Sequence, residues 1–291
     1  MSSNTPNATA NQKPYKMAGW LAIPAPLARL FKKFPLLTYP PNELPARSPS
    51  TRDVATLYVF ISDRDALNGL PSFNPNCLKW QAFLKMAGVD FKVISSTNHA
   101  SPTGALPFLL PPSTPKPITS AQLEQYAAEH GTTKVADVPT PKLEAYESLL
   151  DVRIRNAWLY ALYLSRENTD LLSRLYITPV SASSIVQKTS LYHLRRAAES
   201  DILRTLNTPV VNGMALYEGA REAFEALSTI LGDESWFFGA VQPGLFDAKV
   251  FSYTHLLFDE RLVWGDWTLT EIVMEFPNLV AHRDRILESC W

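Results

Sequence analysis

The order of apolar and polar residues divides the chain into a first part that mixes strands with helix and a second part that is helical throughout. The run Ala55–Ile61 is compact and rich in β-forming residues, which predicts a buried strand. A helix is predicted from Cys77 to Ala87, capped by Asn76 and ended by Gly88. Val89–Ser95 is the next predicted strand. Two strands joined by a helix indicate a parallel pair.

The predicted first helix is apolar on nearly all sides, so we expect it to be covered twice, for example by a sheet and by a second domain. Two further strands are predicted at 107–110 and 116–118. A helix follows at Ala121–His130, and Thr119 with Gln122 can form a capping box at its start.

A polar, proline-containing linker is predicted at Thr132–Pro141, and the apolar period is helical from there to the last residue. Thr268 and Glu271 are predicted to cap the last helical region, which Pro277 interrupts. Four apolar stripes mark the helices of this part: Leu143, Tyr146, Leu150, Ile154, Ala157, Ala161 and Leu164; Leu191, Leu194, Ala198 and Ile202; Leu216, Ala220, Phe224, Leu227 and Leu231; Phe246, Val250, Tyr253 and Leu257. The predicted fold class is therefore α/β plus all-α.

Three regions follow from this pattern: an arm at 1–51, an α/β domain at 52–133 and an all-helical domain at 141–291. The arm is rich in proline, which favours an extended chain. Between Pro24 and Pro35, however, apolar residues follow the i, i+3, i+4, i+7 spacing of a helical face. The apolar side of this short predicted helix carries Leu27, Leu30, Phe31 and Phe34, and its basic side carries Arg29, Lys32 and Lys33.

Two turns of helix seldom stand alone in water, so this segment needs something to pack on. Packing on its own domain and docking on a partner both remain open, and we favour the partner. The arm holds six basic groups against the single acid Glu43, while the whole chain has a net charge of −1. A basic arm on an acidic body is typical of attachment to an anionic surface or an acidic partner, and the balanced total does not indicate nucleic acid.

The composition, 46 % hydrophobic and 19 % charged, is sufficient to fill a core. The two cysteines, Cys77 and Cys290, form no metal-type cluster, and a reducing compartment is the better expectation. No apolar run reaches the roughly 18 residues of a membrane span, so peripheral attachment is expected. The histidines show no ligand spacing, and neither a metal nor a cofactor is expected: His99, His130, His193, His255 and His282.

The order of these elements, with a proline before the third strand, resembles the glutathione transferase fold. In that fold the first domain is thioredoxin-like, and the resemblance implies a cis bond between Leu106 and Pro107. Three ordered segments resemble metaxins more closely: Gln81–Met86, Ser101–Phe108 and Trp236–Phe251. The last holds Asp247, which the family places in a reciprocal helix cap. Here the cap position is Gly244, a weak cap, although Asp247 can still contact free amides and the helix dipole.

The resemblance implies a non-enzymatic subunit of the sorting and assembly machinery on the cytosolic face of the mitochondrial outer membrane. The arm phrase Phe34–Arg47 is similar to the fungal metaxin-like subunits of that machinery. The implied partners are an Omp85-type barrel subunit, a second metaxin-like subunit, β-barrel precursor proteins and the membrane surface. Attachment through partners is expected, since the chain shows no predicted anchor.

A glutathione-dependent transferase is the alternative function. It needs a Tyr, Ser or Cys near the end of the first strand and an acid–serine pair for the γ-glutamyl group. Ser62 and Cys77 are the candidates for the first role, and a helix N-terminus lowers a thiol pKa. Cys77 as a buried packing residue is the favoured interpretation. Thr119–Ser120 stands where the acid–serine pair belongs, so a competent site is not expected.

One further basic cluster, His193, Arg195 and Arg196, lies on a predicted helix. A solvated helix face is the ordinary interpretation of such a cluster. Contact with a partner or with lipid headgroups is the alternative.

Overall fold

The structure is a computed structural model and describes residues 53–112, 116–135 and 141–291. The first part of the described chain contains four strands: β1 Ala55–Val59, β2 Phe91–Ser95, β3 Phe108–Leu110 and β4 Ile118–Thr119. They form one sheet in the order β2-β1-β3-β4. β1 and β2 are parallel, as predicted, with Ala55 opposite Phe91. β3 runs antiparallel to both β1 and β4.

The first part also contains three helices: α1 Asp63–Leu67, α2 Pro75–Met86 and α3 Leu123–His130. α1 was not predicted, and the hydroxyl of Ser62 caps it by accepting the N–H of Asp65 at 3.1 Å. α2 begins two residues before the predicted start, because Asn74 and not Asn76 is its cap. The Asn74 side chain accepts the N–H of Cys77 at 3.2 Å.

The start of α3 also differs from the prediction. Residues Ser120–Gln122 form a tighter 3-10 turn, and Thr119 makes no side-chain capping bond with the described residues around it. The predicted capping box between Thr119 and Gln122 is therefore wrong. The box requires an α-helical first turn to bring its two residues together, and the 3-10 turn moves the helix start to Leu123.

The rest of the described chain is helical. α4 covers residues 141–164, with regular turns at Pro141–Leu149 and Arg155–Leu159 and wider π turns at Leu150–Ile154 and Tyr160–Leu164. α5 covers residues 169–177, as Thr169–Leu172 followed by the wider turns of Ser173–Ile177. The remaining helices are α6 Ser184–Leu206, α7 Gly213–Leu231, α8 Leu245–Phe258, α9 Thr268–Met274 and α10 Pro277–Cys290.

The cap predicted for the last helical region is also corrected. A carboxylate oxygen of Asp266 accepts the N–H of Thr268 at 3.1 Å and its hydroxyl at 2.7 Å, so Asp266 and not Thr268 satisfies the start of α9. Pro277 interrupts the helical run as predicted, since it occupies the first turn of α10.

One continuous core joins the two parts of the described chain. The central strand β1 buries Leu57 and Val59, and α8 is buried along almost its whole length. α8 packs against α2, so α2 lies between the sheet and the helical part, as its apolar surface predicts. The predicted fold class, a small α/β unit followed by helices, is confirmed. None of the helices in the described ranges is long and apolar enough to cross a bilayer.

Candidate functional site

A crevice opens at the carboxyl ends of β1 and β2, which is where open α/β sheets hold their ligands. Its volume is about 540 Å³. Four stretches line it: the loop after β1, residues 95–97 after β2, the end of α5 and the loop after α8. The crevice therefore lies where the α/β part meets the helical part.

Three charged side chains of the crevice are engaged with one another. The guanidinium of Arg261 donates to both carboxylate oxygens of Asp259, at 2.9 Å from Nε and 2.6 Å from a terminal nitrogen. It also donates to the carbonyl of Pro71 at 3.1 Å and lies 3.7 Å from the carboxylate of Asp65. This Arg261 network fixes the loop after α8 against the loop after β1, which is a structural role.

Aromatic side chains form the inner wall of the crevice. The ring of Tyr176 meets Phe60 and Phe73 edge-on, each with centroids 5.3 Å apart. Its hydroxyl accepts a hydrogen bond from the side chain of Asn74 at 3.0 Å. Burial raises the pKa of Tyr176 well above the ordinary tyrosine value. This hydroxyl is half-buried and is held by Asn74 at the inner wall of the crevice.

Cys77 lies in the first turn of α2, yet its environment opposes the thiolate. Its side chain is 0 % exposed and packs in the core. Burial raises the pKa of its thiol to about 12, and hydrogen bonding to Phe60 and Ser72 only partly opposes that rise. The interpretation of Cys77 as a buried packing residue is therefore the one that the structure supports.

The other two positions of a transferase site are also occupied differently. Ser62 is exposed and uses its hydroxyl to cap α1. Thr119 ends β4, and Ser120 begins the 3-10 turn before α3. Neither Thr119 nor Ser120 supplies the carboxylate that an acid–serine pair requires.

The Leu106–Pro107 bond is cis, the geometry that the resemblance implies. The main-chain groups of Leu106 are both satisfied internally: its N–H donates to the side chain of Asn98 at 3.0 Å, and its carbonyl accepts from the side chain of Asn76 at 3.0 Å. A peptide-like ligand binds beside such a segment by pairing with its main chain. Here that pairing would first have to displace two side-chain hydrogen bonds.

Asp247 organises the segment that precedes α8. Its side chain is buried and accepts the N–H groups of Gly244 at 2.9 Å and Phe237 at 3.1 Å. The ring nitrogen Nε2 of His282 lies 2.8 Å from the same carboxylate. The expectation that Asp247 contacts free amides is confirmed, and the partner His282 was not anticipated. The network holds the aromatic turn Phe237–Gly239 against α8 and α10.

The predicted basic cluster on α6 is divided by the helix. Arg195 faces the protein and donates to the carbonyl of Tyr163 at 3.0 Å and to the hydroxyl of Thr169 at 2.6 Å. His193 and Arg196 are exposed on the outer side. The seven arm residues proposed for partner binding, Leu27, Leu30, Phe31, Phe34, Arg29, Lys32 and Lys33, lie outside the described residues.

The sequence did not reveal the long-range hydrogen bonds of this region. Asn76 and Asn98 bond the main chain of Leu106, and Arg261 bonds the carbonyl of Pro71, over 8 to 190 residues of chain, and no local pattern marks such contacts. The cap at Asn74 did have a signal, because an Asn directly before a Pro is a common helix start. Within the described ranges, no three His, Cys, Asp or Glu side chains are grouped so that they could hold a metal ion.

Comparison with known proteins agrees with this arrangement. A family model of the glutathione S-transferase N-terminal domain matches residues 75–168, and one of the C-terminal domain matches residues 220–286. Among solved structures, a glutathione S-transferase of Ceriporiopsis subvermispora in complex with glutathione has a TM-score of 0.52 at 15 % identity, covering 81 % of this chain and 97 % of that one. A beta-etherase of Sphingobium has a TM-score of 0.51 at 14 % identity, covering 80 % and 94 %.

Fold and domain order therefore define a glutathione-transferase-like protein. Two curated relatives of similar sequence are metaxins. The chain is 28 % identical to metaxin-3 of Xenopus laevis over 235 residues, which cover 76 % of this chain and 73 % of the relative. It is 27 % identical to metaxin-1 of Macaca fascicularis over 235 residues, covering 75 % and 71 %. The chain is therefore similar in sequence to metaxins and in domain order to glutathione S-transferases.

Proposed function

We propose that this protein is a non-enzymatic subunit of the sorting and assembly machinery of the mitochondrial outer membrane. It would sit on the cytosolic face as a peripheral protein and help to receive and insert β-barrel precursors. Its partners would be an Omp85-type barrel subunit and a second metaxin-like subunit. Similarity to metaxin-3 and metaxin-1 supports the location and the role in protein import.

The observation that carries the non-enzymatic part is the state of the residues that a transferase site would use. The candidate thiol, Cys77, is buried with a pKa of about 12. The main-chain groups of Leu106 are bonded by Asn76 and Asn98. Transferase chemistry needs a stabilised thiolate beside a bound peptide, and these residues supply neither.

Glutathione binding is the second candidate, because the fold is shared with a transferase that was solved with glutathione bound. The two candidates differ in a simple observation. A transferase should be retained on immobilised glutathione and be eluted by free glutathione. We expect the purified full-length protein to pass through the column, and specific retention would favour the alternative.

For the partner contact we propose the basic amphipathic segment of the arm. Leu27, Leu30, Phe31 and Phe34 would dock their apolar face in a partner groove, with Arg29, Lys32 and Lys33 at its rim. Docking is favoured over lipid anchoring because two helical turns bury too little area to hold a protein on a membrane.

The test is affinity purification of the tagged full chain from a detergent extract of mitochondria, with the partners identified by mass spectrometry. We expect the barrel subunit and a second metaxin-like subunit. Phe31→Asp with Phe34→Asp should abolish their recovery, while Lys32→Ala with Lys33→Ala should reduce it only modestly. Recovery that depends on the lysine pair and not on the phenylalanine pair would contradict the docking hypothesis. Absence of both partners from the wild-type sample would contradict the proposed function.

A further inference from the structure

The first three turns of α6 expose an apolar and basic stripe. None of the residues 184–194 is fully buried, and the inner side of the helix is held to the protein by Leu191, Leu194, Arg195, Ala198 and Ile202. Ile185 is 77 % exposed and Tyr192 is 55 % exposed. Exposed apolar side chains of this size on the outer face of a helix are typical of a surface that contacts another molecule.

Helical spacing places two basic residues on the same stripe. Ile185, Lys188, Tyr192 and Arg196 follow one another at intervals of three and four residues, which puts them on one face. We call these four residues the α6 stripe. Arg196 pairs with Glu199 at 3.0 Å, but both side chains are solvent-accessible, and an ion pair of that kind is weak enough to exchange for another anion.

The stripe lies in a stretch without acids. Residues 171–198 contain no Asp or Glu, although the chain beyond the basic arm is acidic overall. The basic residues of this stretch are Arg174, Lys188, His193, Arg195 and Arg196. Locally positive charge on an otherwise acidic body is complementary to an anionic surface.

The shape and chemistry of the stripe favour lipid over an acidic protein as that surface. The stripe carries only two exposed apolar residues, too few to fill a partner's groove as the four apolar residues of the arm would, and its remaining residues are basic. A bilayer interface moulds around a ridge and accepts both kinds of side chain, since aliphatic and tyrosine side chains enter the headgroup region while lysine and arginine pair with lipid phosphates.

We infer that the α6 stripe is a contact with the surface of an anionic membrane. Ile185 and Tyr192 enter the interface, and Lys188 and Arg196 bind the headgroups. The inference rests on the proposed function in one respect: it assigns the proposed peripheral attachment to a site on the folded body. Binding to pure lipid requires no protein partner, so it can be tested separately from membership of a complex.

The test is flotation of the purified full-length protein with vesicles of phosphatidylcholine alone or with one fifth anionic phosphatidylserine. Each basic residue near an anionic membrane strengthens binding about fivefold, or about 1 kcal/mol. Lys188→Ala with Arg196→Ala should therefore weaken binding to anionic vesicles by about 30-fold. The matched control is Lys92→Ala with Lys142→Ala, which removes the same charge from exposed positions on β2 and α4. The control pair should change binding by less than about threefold, since it lies off the stripe.

A second variant separates the apolar contribution. Ile185→Ser with Tyr192→Ser should weaken binding to anionic vesicles by at least tenfold while leaving net charge unchanged. All variants retain the basic arm, so any vesicle binding by the arm contributes equally to every sample. Equal effects of the stripe pair and the control pair would overturn the inference, as would unchanged binding in both stripe variants. Loss of protein partners with vesicle binding intact would instead assign the stripe to a protein contact. If partner recovery from mitochondria holds while lipid binding fails, only this inference is lost.

Discussion

Removal of the Asp247 carboxylate should destabilise the helical part severely. Asp247 is 1 % exposed and receives hydrogen bonds from the N–H groups of Gly244 and Phe237. His282, which is 0 % exposed, places Nε2 2.8 Å from the same carboxylate. Asp247→Ala leaves these three groups buried without their acceptor and leaves the start of α8 uncapped.

The magnitude follows from counting the groups left unpaired. A buried donor that loses its acceptor costs about 1–3 kcal/mol, so three of them cost about 3–9 kcal/mol. For a folded body of this size each 1 kcal/mol corresponds to about 2–4 °C in Tm, which predicts a fall of at least about 6 °C. Asp247→Asn should cost less, about 1–3 kcal/mol. The Asn side chain keeps the oxygen that faces Phe237 and His282. It places an NH2 group against the N–H of Gly244, so only that hydrogen bond is lost.

Urea unfolding followed by circular dichroism measures these differences, with the slope against urea as a check that the folded state is unchanged. Asp233→Ala is the matched control, because Asp233 is exposed, and its effect should be within about 0.5 kcal/mol of wild type. The order of stability should be wild type and Asp233→Ala, then Asp247→Asn, then Asp247→Ala. An Asp247→Ala protein within about 1 kcal/mol of wild type at unchanged slope would refute the assigned role.

Two further predictions concern titration and thiol chemistry. Burial lowers the pKa of His255 from 6.5 to about 4, against the opposing charge of Asp259 and with support from Arg283 and Arg261. Between these two pKa values the folded state binds fewer protons than the unfolded state. The free energy of unfolding therefore decreases as pH falls from 6.5 towards 4, by up to about 1.4 kcal/mol per pH unit. His255→Gln should flatten the dependence of the unfolding free energy, measured with urea, on pH over that range. An unchanged dependence on pH would contradict the assignment. Cys77, with its pKa of about 12, should resist a thiol-reactive reagent at pH 8 in the Cys290→Ser variant until denaturant is added, whereas rapid labelling of the native variant would show an accessible thiolate.

The fold was predictable where local pattern decides the structure. The parallel pair β1 and β2 and the double coverage of α2 follow from apolar periodicity, which the folded core then satisfies. α1 was missed because it is five residues long and has no buried residue, so no apolar period marks it. The wider turns within α4 were missed because the apolar residues there recur at intervals of three and four, which is the spacing of a regular helix.

The candidate site was less predictable because tertiary contacts decide it. Asn76 satisfied the rule for a helix cap, yet the preceding Asn74 took that position, since Pro75 fits the first turn. Asn76 was thereby left free to bond the carbonyl of Leu106, 30 residues away. Cys77 was weighed correctly from residue type alone, because free cysteines are usually buried.

A further set of contacts joins the two parts of the folded body. The indole N–H of Trp291 donates to the carbonyl of Gly69 at 2.8 Å, and its ring stacks on Phe251 with centroids 5.8 Å apart. The ammonium group of Lys85 lies 4.7 Å from that ring and donates to the carbonyl of Cys290 at 2.8 Å.

Together with the Arg261 network, these bonds oppose separation of the two parts, because separation would leave several partly buried polar groups unpaired at once. An enzyme that must admit a substrate needs such a region to move. The fixed arrangement therefore supports the proposed role, in which outer surfaces and not a mobile crevice meet the partners.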